Sequence, residues 1–478
     1  MAFFNRHTKK EKENSLSKPV EVSVVANEND IELDKARKDI IGNKYLIQGP
    51  IPKKEDLVEC TIQDLEFLIT TGKHFHEQKA FIDDDFIEKI PVFYETLIDK
   101  IKKASVLYLA IDNNTGMPHI DGNGNVWMFS TSRNAVNAKI HYELNEQLML
   151  TVKEIPNDKI TETFVDFFYW GMESIIMDGG SFMTTIKREE VLSAPDWSNI
   201  PKISVPVTNP KLIRDQLMYY EMIYKKNKSE QEQKNEKALS DRFILDMVKA
   251  NYLCPVKYTY PKGGAPTPDE NGNTVLKKGA TLSFPIMTDK NDVNWTPAFT
   301  DWTTFRKVYD DKEWSGQIMS YKDIAALMTT NNSSGVVINP MSIEIKIDEN
   351  RKIVLSNVME VQDRIEREKN SGLLEEKQNN LFVGQPSEYP TELVEKLKHY
   401  MKTQVNIRRA YLQLKIENDN DISYLVIIDF DGDKNVVYKG IADATMPYLK
   451  NNYMDFHIAD DWGMKMVGDT EPFYLKEK

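Results

Sequence analysis

The sequence predicts an α+β protein, with duplicated domains of the α/β-sandwich kind followed by a smaller α+β domain at the C-terminal end. One phrase occurs twice, as SIIMDGGSF at residues 174–182 and as GVVINPMSI at residues 335–343. In each copy apolar residues precede a turn pair, Asp-Gly or Asn-Pro, and a serine with alternating apolar positions follows. This pattern is typical of a strand, a tight turn and a second strand. The same landmarks precede both copies with variable spacing, as loop insertions in duplicated domains would give.

The length and composition set the number of domains. The chain has 478 residues, of which 41% are hydrophobic. A chain of this length is too long for one core and predicts about three domains of roughly 150 residues each.

The charge and the cysteines exclude several classes of protein. The formal net charge of −13 argues against a general nucleic-acid binder, because phosphate neutralisation needs a basic surface. Cys60 and Cys254 are the only cysteines, which excludes a disulfide framework and a Cys-x-x-Cys site. The first residues lack the apolar core of a signal peptide, and no apolar run reaches the roughly 20 residues of a membrane span. We therefore predict a cytoplasmic protein.

The first third of the chain divides into a polar segment and a domain. Residues 1–50 are rich in Lys, Glu and Asn, which predicts a disordered segment, with order beginning near Asp56. In the predicted first domain, residues 51–224, apolar spacing indicates helices over 57–69 and 93–101. The second of these runs into a buried strand at 106–111.

Two polar stretches separate the domains. Residues 225–240 are almost wholly charged or polar and predict a linker, either a solvated helix or a flexible tether. The second domain, residues 241–359, begins with a helical stripe that leads into the strand 251–256. Residues 360–380 predict a second linker.

The last domain, residues 381–478, has its own pattern. Pro390 precedes a helix, and alternating residues predict strands over 405–414 and 424–428. The Asp-rich run at 429–433 predicts a turn into a further strand at 435–438. Together these elements predict a compact α+β unit.

Several short segments carry a resemblance to a known family. The second copy has YLCPV at 252–256, PAFTD at 297–301, a helix over 320–327 and GVVINP at 335–340. It resembles the N-terminal domain of the SseB family, which is named for enhanced serine sensitivity.

The tail is similar to the C-terminal domain of the same family. Its matching segments are VGQP at 383–386, Tyr389-Pro390, the helix to Tyr400, AYL at 410–412 and PFY at 472–474. The resemblance covers roughly residues 240–478. It is fainter in the first copy, where Asp178-Gly179 replaces Asn-Pro. It implies a bacterial cytoplasmic protein and supplies no catalytic residue.

Candidate metal and catalytic patterns have simpler structural explanations. Asp429, Asp431, Asp433 and Asn435 alternate as in a calcium loop, but the glycine is misplaced and no glutamate closes the loop, so a hairpin turn is favoured. His74 and His76 would share a face only on a strand, and their surroundings indicate a helix end. Cys254 lies in an apolar strand, where an inert thiol is expected. We therefore predict no catalytic, cofactor-binding or metal site.

Aromatic residues form the candidate interaction surface, although helices packed on sheets also explain them. The candidates are Phe167, Tyr169, Trp170, Trp295, Trp302 and Trp314. We predict a non-enzymatic protein that binds a protein partner, as an adaptor, immunity or secretion-accessory protein. The alternative is a small-molecule sensor, or an enzyme of unknown type, linked to amino-acid metabolism. A deep pocket where His119, His141 or Asp178 converge would favour that alternative.

Overall fold

The computed structural model describes residues 28–81, 85–180, 182–201, 205–260, 279–310, 313–378, 380–418, 420–449 and 452–476. Helices and mostly antiparallel sheets alternate along it, which confirms the predicted α+β class. The chain divides into two compact units, Met1–Ile347 and Asp348–Lys478.

The first unit begins with the helices α1 (Glu28–Ile41), α2 (Ile62–Gln78) and α3 (Phe86–Lys102). The predicted disorder is therefore wrong for residues 28–47, while residues 1–27 lie outside the described residues. The polar composition conceals a few specific contacts. The Arg37 guanidinium donates to Asp64 at 2.6 and 3.0 Å, and Tyr45 and Leu46 are buried. These contacts fix a polar segment that has little apolar periodicity of its own.

The first module, residues 86–191, is built on a five-stranded sheet. Its strands are β1 (Val106–Asp112), β2 (Asn125–Phe129), β3 (Leu150–Pro156), β4 (Ser174–Met177) and β5 (Thr184–Lys187). The strand order is β3-β1-β2-β4-β5, with β2 and β4 parallel and the other neighbours antiparallel. Helices α4 (Ser132–Asn145), α5 (Asn157–Tyr169) and α6 (Arg188–Val191) complete the module.

The second module, residues 230–348, follows α7 (Pro210–Tyr224). Its helices are α8 (Glu230–Lys249), α9 (Trp302–Arg306) and α10 (Tyr321–Thr330). Its strands are β6 (Asn251–Thr259), β7 (Thr281–Ser283), β8 (Met287–Thr288), β9 (Asn294–Ala298), β10 (Ser315–Ser320), β11 (Gly335–Ile338) and β12 (Ile345–Asp348).

The two modules share one strand order. In the second module, backbone hydrogen bonds of 2.8 and 2.9 Å between Leu253 and Phe299 join β6 to β9. The order β10-β6-β9-β11-β12 therefore repeats β3-β1-β2-β4-β5 of the first module. Strands β9 and β11 are parallel to each other, as are the equivalent strands β2 and β4 of the first module. The strand, turn, strand prediction is confirmed in both copies, as β4 with β5 and as β11 with β12.

An equivalent helix cap follows β2 in the first module and β9 in the second. The Thr131 hydroxyl accepts the backbone N–H of Asn134 at the start of α4. The Asp301 carboxylate accepts the backbone N–H of Thr304 at the start of α9, at 2.8 Å. A side-chain oxygen at this position satisfies a donor that the helix itself leaves unpaired. Both modules therefore place a helix N-terminus beside the end of the parallel strand pair.

The predicted linkers are largely helical. Residues 230–240 lie in α8, where Ser229 and Glu232 form a reciprocal capping box, so the solvated-helix alternative applies to them. Residues 360–370 lie in α11 (Glu349–Asn370) of the second unit. The division of the first unit into two domains stays a prediction.

The second unit is one sheet with helices on its faces. After α11 its elements are β13 (Leu374–Gln378), β14 (Leu381–Gly384), α12 (Thr391–Lys402), β15 (Ile407–Glu417), β16 (Asp421–Phe430), α13 (Lys434–Thr445), β17 (Tyr453–Ile458), α14 (Asp461–Val467) and β18 (Tyr474–Leu475). The strand order is β13-β14-β15-β16-β17, and β18 pairs with β15. The predicted helix after Pro390 and both long strands are confirmed.

The strand predicted at 435–438 is wrong, because these residues belong to α13. The Asp433 carboxylate accepts the backbone N–H groups of Asn435 and Val436 and so begins a helix. An aspartate before an apolar run fits a helix cap as well as a hairpin turn, and here the cap prevails.

Candidate functional site

The six aromatic candidates do not form one exposed surface. Phe167 and Trp295 are 0% and 9% exposed and belong to the cores of the two modules. Tyr169 and Trp170 are half-buried.

The other two candidates, also half-buried, stack against basic side chains. The Arg306 guanidinium lies 5.0 Å from the Trp302 ring, and the Lys257 ammonium lies 4.5 Å from the Trp314 ring. For the four half-buried residues a role in partner binding stays a prediction.

The repeated turn is a more informative place. Asp178 follows β4 with a φ of 49°, and its backbone N–H donates to the Met128 carbonyl at 2.9 Å. Its buried carboxylate accepts the backbone N–H of Ser130 at 2.9 Å and also the Ser130 hydroxyl. Aspartate tolerates this left-handed conformation better than most residues. The turn therefore ties the end of β4 to the end of β2.

The second module repeats this turn with an amide. Asn339 follows β11 with a φ of 50°, and its backbone N–H donates to the Ala298 carbonyl at 2.9 Å. Its side-chain oxygen accepts the backbone N–H of Thr300, and its amide nitrogen donates to the Thr300 hydroxyl, both at 2.9 Å. An amide cannot act as a general base. The repetition therefore favours a structural role for both pairs.

A second buried acid distinguishes the first module. Glu66, on α2, is 1% exposed, and no regular hydrogen bond joins either of its carboxyl oxygens to a described residue. Only the Asp178 carboxyl and the Thr184 backbone lie close enough to interact with it, and neither belongs to the lining of the cleft. Burial, and then the nearby Asp178 carboxylate, raise the pKa of Glu66 to about 11. The Glu66 carboxyl is therefore neutral at pH 7.

A cleft of about 700 Å³ opens over this acid. The residues that line it come from α1, α2, β2, α4 and the turn after β4, and they include Lys38, Glu66, Trp127, Arg133, Asn134, His141, Tyr142, Gly179 and Phe182. The indole N–H of Trp127 and the amide nitrogen of Asn134 are buried without a partner in the described part of the chain. Three unpaired polar groups thus border one cleft, whereas buried polar groups are normally hydrogen-bonded.

Gly179 shapes the cleft. A Cβ at this position would lie 2.1 Å from Cζ3 of Trp127, so only glycine lets the turn approach the indole ring. In the second module Pro340 takes the place of Gly179, and Pro297 takes the place of Trp127. The indole ring that lines the cleft therefore belongs to the first module.

Convergence of His119, His141 and Asp178 in a pocket would favour a ligand site, and the structure brings only some of these groups together. His141 lines the cleft, and Asp178 lies behind it beside Glu66. His119 instead bonds to the buried Glu221 at 2.8 Å, and its ring contacts Tyr142. The gathering of His141, Asp178 and Glu66 counts in favour of a ligand site and against a surface that binds only proteins.

Glu66 is not among the residues predicted from the sequence. It stands between Leu65 and Phe67, on a helix whose other inward positions include Leu68 and Ile69. An acid on the buried side of an apolar stripe was the available signal. Its proximity to Asp178, more than a hundred residues away in sequence, follows only from the fold.

Comparison with protein families identifies the second unit. Residues 376–476 match the SseB protein C-terminal domain. The chain therefore carries an SseB C-terminal domain at these residues. The predicted family is thereby confirmed over these residues, and the assignment of the two preceding modules stays a prediction. Neither the curated proteins nor the solved structures that were compared gave a match to the chain.

Within the SseB C-terminal domain, the acidic run at 429–433 is engaged by arginine. The Arg408 guanidinium bonds to Asp429 and Asp431, both at 2.5 Å, and Arg409 bonds to Asp429 at 3.0 Å. Asp433 caps α13, so all three aspartates of this run have partners within the protein. No cluster of three or more metal-ligating side chains occurs among the described residues.

No helix in the part of the chain that the structure describes is long and apolar enough to cross a membrane. This finding agrees with the apolar runs of the sequence, which are short.

Proposed function

We propose that this SseB-family chain acts by binding, and that the cleft of the first module is a small-molecule site. One observation carries the proposal: the buried Glu66 carboxyl borders the cleft, no regular hydrogen bond reaches either of its oxygens, and its nearest polar neighbour is another acid, Asp178. Leaving a buried polar group unpaired costs about 1–3 kcal/mol, so such a group calls for a functional explanation. A ligand that bonds to Glu66 supplies one.

The internal repeat acts as a control for this argument. At the equivalent turn of the second module, the Asn339 side chain bonds to the backbone and hydroxyl of Thr300, and its oxygen also accepts the Thr304 hydroxyl at 3.2 Å. The same scaffold can therefore satisfy its polar groups. Beside this turn, an unpaired acid is found only in the first module among the described residues. Elsewhere in the second module, the buried Asp246 on α8 leaves one carboxyl oxygen unpaired.

Binding is favoured over catalysis by the same comparison. Ser130 and Asp178 have the contact expected of a nucleophile and its base. However, Thr300 and Asn339 make the corresponding contact without any base. We therefore assign the serine and aspartate to the turn and Glu66 to the ligand.

The test is to identify the molecule that the protein retains. The chain would be purified from its host cell and denatured, and the released small molecules would be measured by mass spectrometry. We expect one compound in near-stoichiometric amount from the wild type and at least tenfold less from Glu66→Gln. The matched control, Thr304→Val, alters the second module and should retain the compound. Equal recovery from the Glu66→Gln variant, or no compound from any chain, would contradict the proposal.

A second candidate function is the binding of a protein partner, as an adaptor in the cytoplasm of a bacterium. It is favoured by the outer side of α4, where Ile140 and Leu144 are 46% and 77% exposed at a spacing of four residues. Because α4 also lines the cleft, a ligand could control this surface. A stoichiometric partner recovered with the wild type and lost from Leu144→Glu, with retention of the small molecule, would support this candidate. Recovery unchanged by the substitution would oppose it.

A further inference from the structure

The chemistry of the cleft indicates which class of ligand it accepts. Its floor offers the Glu66 carboxyl, and its walls include the rings of Trp127, Tyr142 and Phe182. A carboxyl and aromatic faces together attract an ammonium group, through charge and through cation–π interaction. The Lys38 ammonium lies 4.6 Å from the Phe182 ring, a distance at which a cation and an aromatic ring attract each other.

The rim of the cleft has the opposite preference. Arg133 lines the cleft, and its guanidinium forms no ion pair with a described residue. The first turn of α4 also faces the cleft, through Thr131, Arg133 and Asn134. A helix N-terminus and a guanidinium favour an anion. The unpaired N–H groups of Trp127 and Asn134 add donors to this side.

We infer that the cleft binds a small zwitterion, with its ammonium group on Glu66 and its anionic group near Arg133 and the start of α4. This inference rests on the proposed function and names the ligand class of the same site. The anionic group is a carboxylate or a phosphate, since both suit the donors present.

Binding should release a proton. In the free protein the Glu66 carboxyl carries one, and in the complex the ligand ammonium replaces it, so Glu66–COOH and R–NH3⁺ give the ion pair and one H⁺ in solvent. The charged or titratable groups around Glu66 are Asp178 behind it and Lys38, Arg133, His141 and Tyr142 along the cleft. The basic groups repel a ligand that carries only a positive charge. The anionic group of a zwitterion offsets this repulsion.

The experiment is calorimetric titration of the full chain with β-alanine and γ-aminobutyrate, against propylammonium and propionate as singly charged probes. Titrations in two buffers of different ionisation enthalpy count the protons released. We expect a zwitterion to bind at least tenfold more tightly than either singly charged probe and to release between half and one proton. Its affinity should rise up to tenfold per pH unit between about pH 6 and 8.

Two variants separate the groups. Glu66→Gln should lose at least tenfold in affinity together with the proton release and the pH dependence. Arg133→Gln should lose affinity about fivefold but keep the proton release, which a general structural defect would not do.

The outcomes distinguish the ligand class from the site. Binding of propionate alone, unchanged by Glu66→Gln, would overturn the zwitterion and leave a site for anions. Failure of every probe, while a compound of another class is recovered from the purified protein, would overturn the ligand class and keep the cleft. Failure of every probe without any recovered compound would overturn both.

Discussion

The two modules of the first unit have the same strand order and the same turn, yet they treat their buried polar groups differently. In the second module Asn339 bonds within a closed set of protein groups. In the first module the backbone N–H and the hydroxyl of Ser130 donate to the two oxygens of Asp178. The Glu66 carboxyl beside the cleft has no regular hydrogen bond to a described residue. The turn is therefore common to both modules, while the ligand site that we propose lies in the module where α2 adds an acid and β2 adds an indole. Function lies in the grafted residues and not in the shared fold.

Exchanging the two turn residues should give unequal costs. In Asn339→Asp the new carboxylate would face the Asp301 carboxylate, which already accepts the Thr300 hydroxyl at 2.8 Å. One hydroxyl proton cannot serve two buried acids, so we expect a loss of about 3 kcal/mol in the free energy of unfolding. Asp178→Asn should cost less than about 1 kcal/mol, because Asn339 shows that an amide makes the same contacts. Urea unfolding followed by circular dichroism measures both, and equal costs would contradict the structural equivalence of the turns.

Glu66→Gln should stabilise the ligand-free protein at neutral pH. The folded state holds the Glu66 proton up to about pH 11, whereas the unfolded chain releases it near its ordinary pKa of 4.5. The wild type therefore loses stability as the pH rises between these values, by about 1.4 kcal/mol per pH unit at most. The variant should be more stable by about 3 kcal/mol at pH 7, and about equally stable at pH 4.

Urea midpoints across this pH range check the result. Asn339→Gln is a control in the second module, because it introduces no titrating group and should leave the pH dependence unchanged. Parallel pH profiles for the wild type and Glu66→Gln would mean that Glu66 is ionised in the folded protein.

The glycine of the first turn should be coupled to the indole ring. In Gly179→Ala the new methyl group meets Trp127, and we expect a loss of about 1–3 kcal/mol from this overpacking. In the Trp127→Ala background the same substitution should cost at least about 1 kcal/mol less, because the clash is gone. A double-mutant cycle by urea unfolding measures the coupling, and purely additive costs would show that the indole does not need the glycine.

Substitutions on the outer side of α4 should have the smallest effect on folding. Ile140→Gln and Leu144→Gln remove exposed apolar groups, so each should change the free energy of unfolding by less than about 0.5 kcal/mol. Ligand affinity should also stay within twofold of the wild type. A large loss of stability in either variant would mean that this face is packed in the folded chain.

The comparison also explains what the sequence could predict. The repeated phrase located both turns, because apolar strands flanking Asp-Gly and Asn-Pro carry a local signal. Separate segments, such as VGQP at 383–386 and PFY at 472–474, located the C-terminal domain. The contacts of Glu66 with the turn after β4 could not be predicted, since they join residues far apart in sequence through the packing of α2. The helix at Glu28–Ile41 was missed for a similar reason, because its Arg37–Asp64 pair has no local pattern. Asp433 predicted a turn and not a helix start, because aspartate commonly begins both turns and helices.

The carbon-13 carboxyl resonance of Glu66, assigned by its disappearance in Glu66→Gln, tests the central claim most directly. In the ligand-free protein we expect this resonance to have the shift of a protonated carboxyl at pH 7 and not to titrate below pH 8. In Asp178→Asn, where the neighbouring charge is removed, its midpoint should fall. A Glu66 carboxyl that titrates near pH 4–5, as an exposed glutamate does, would contradict the distinction between an open first module and a closed second one.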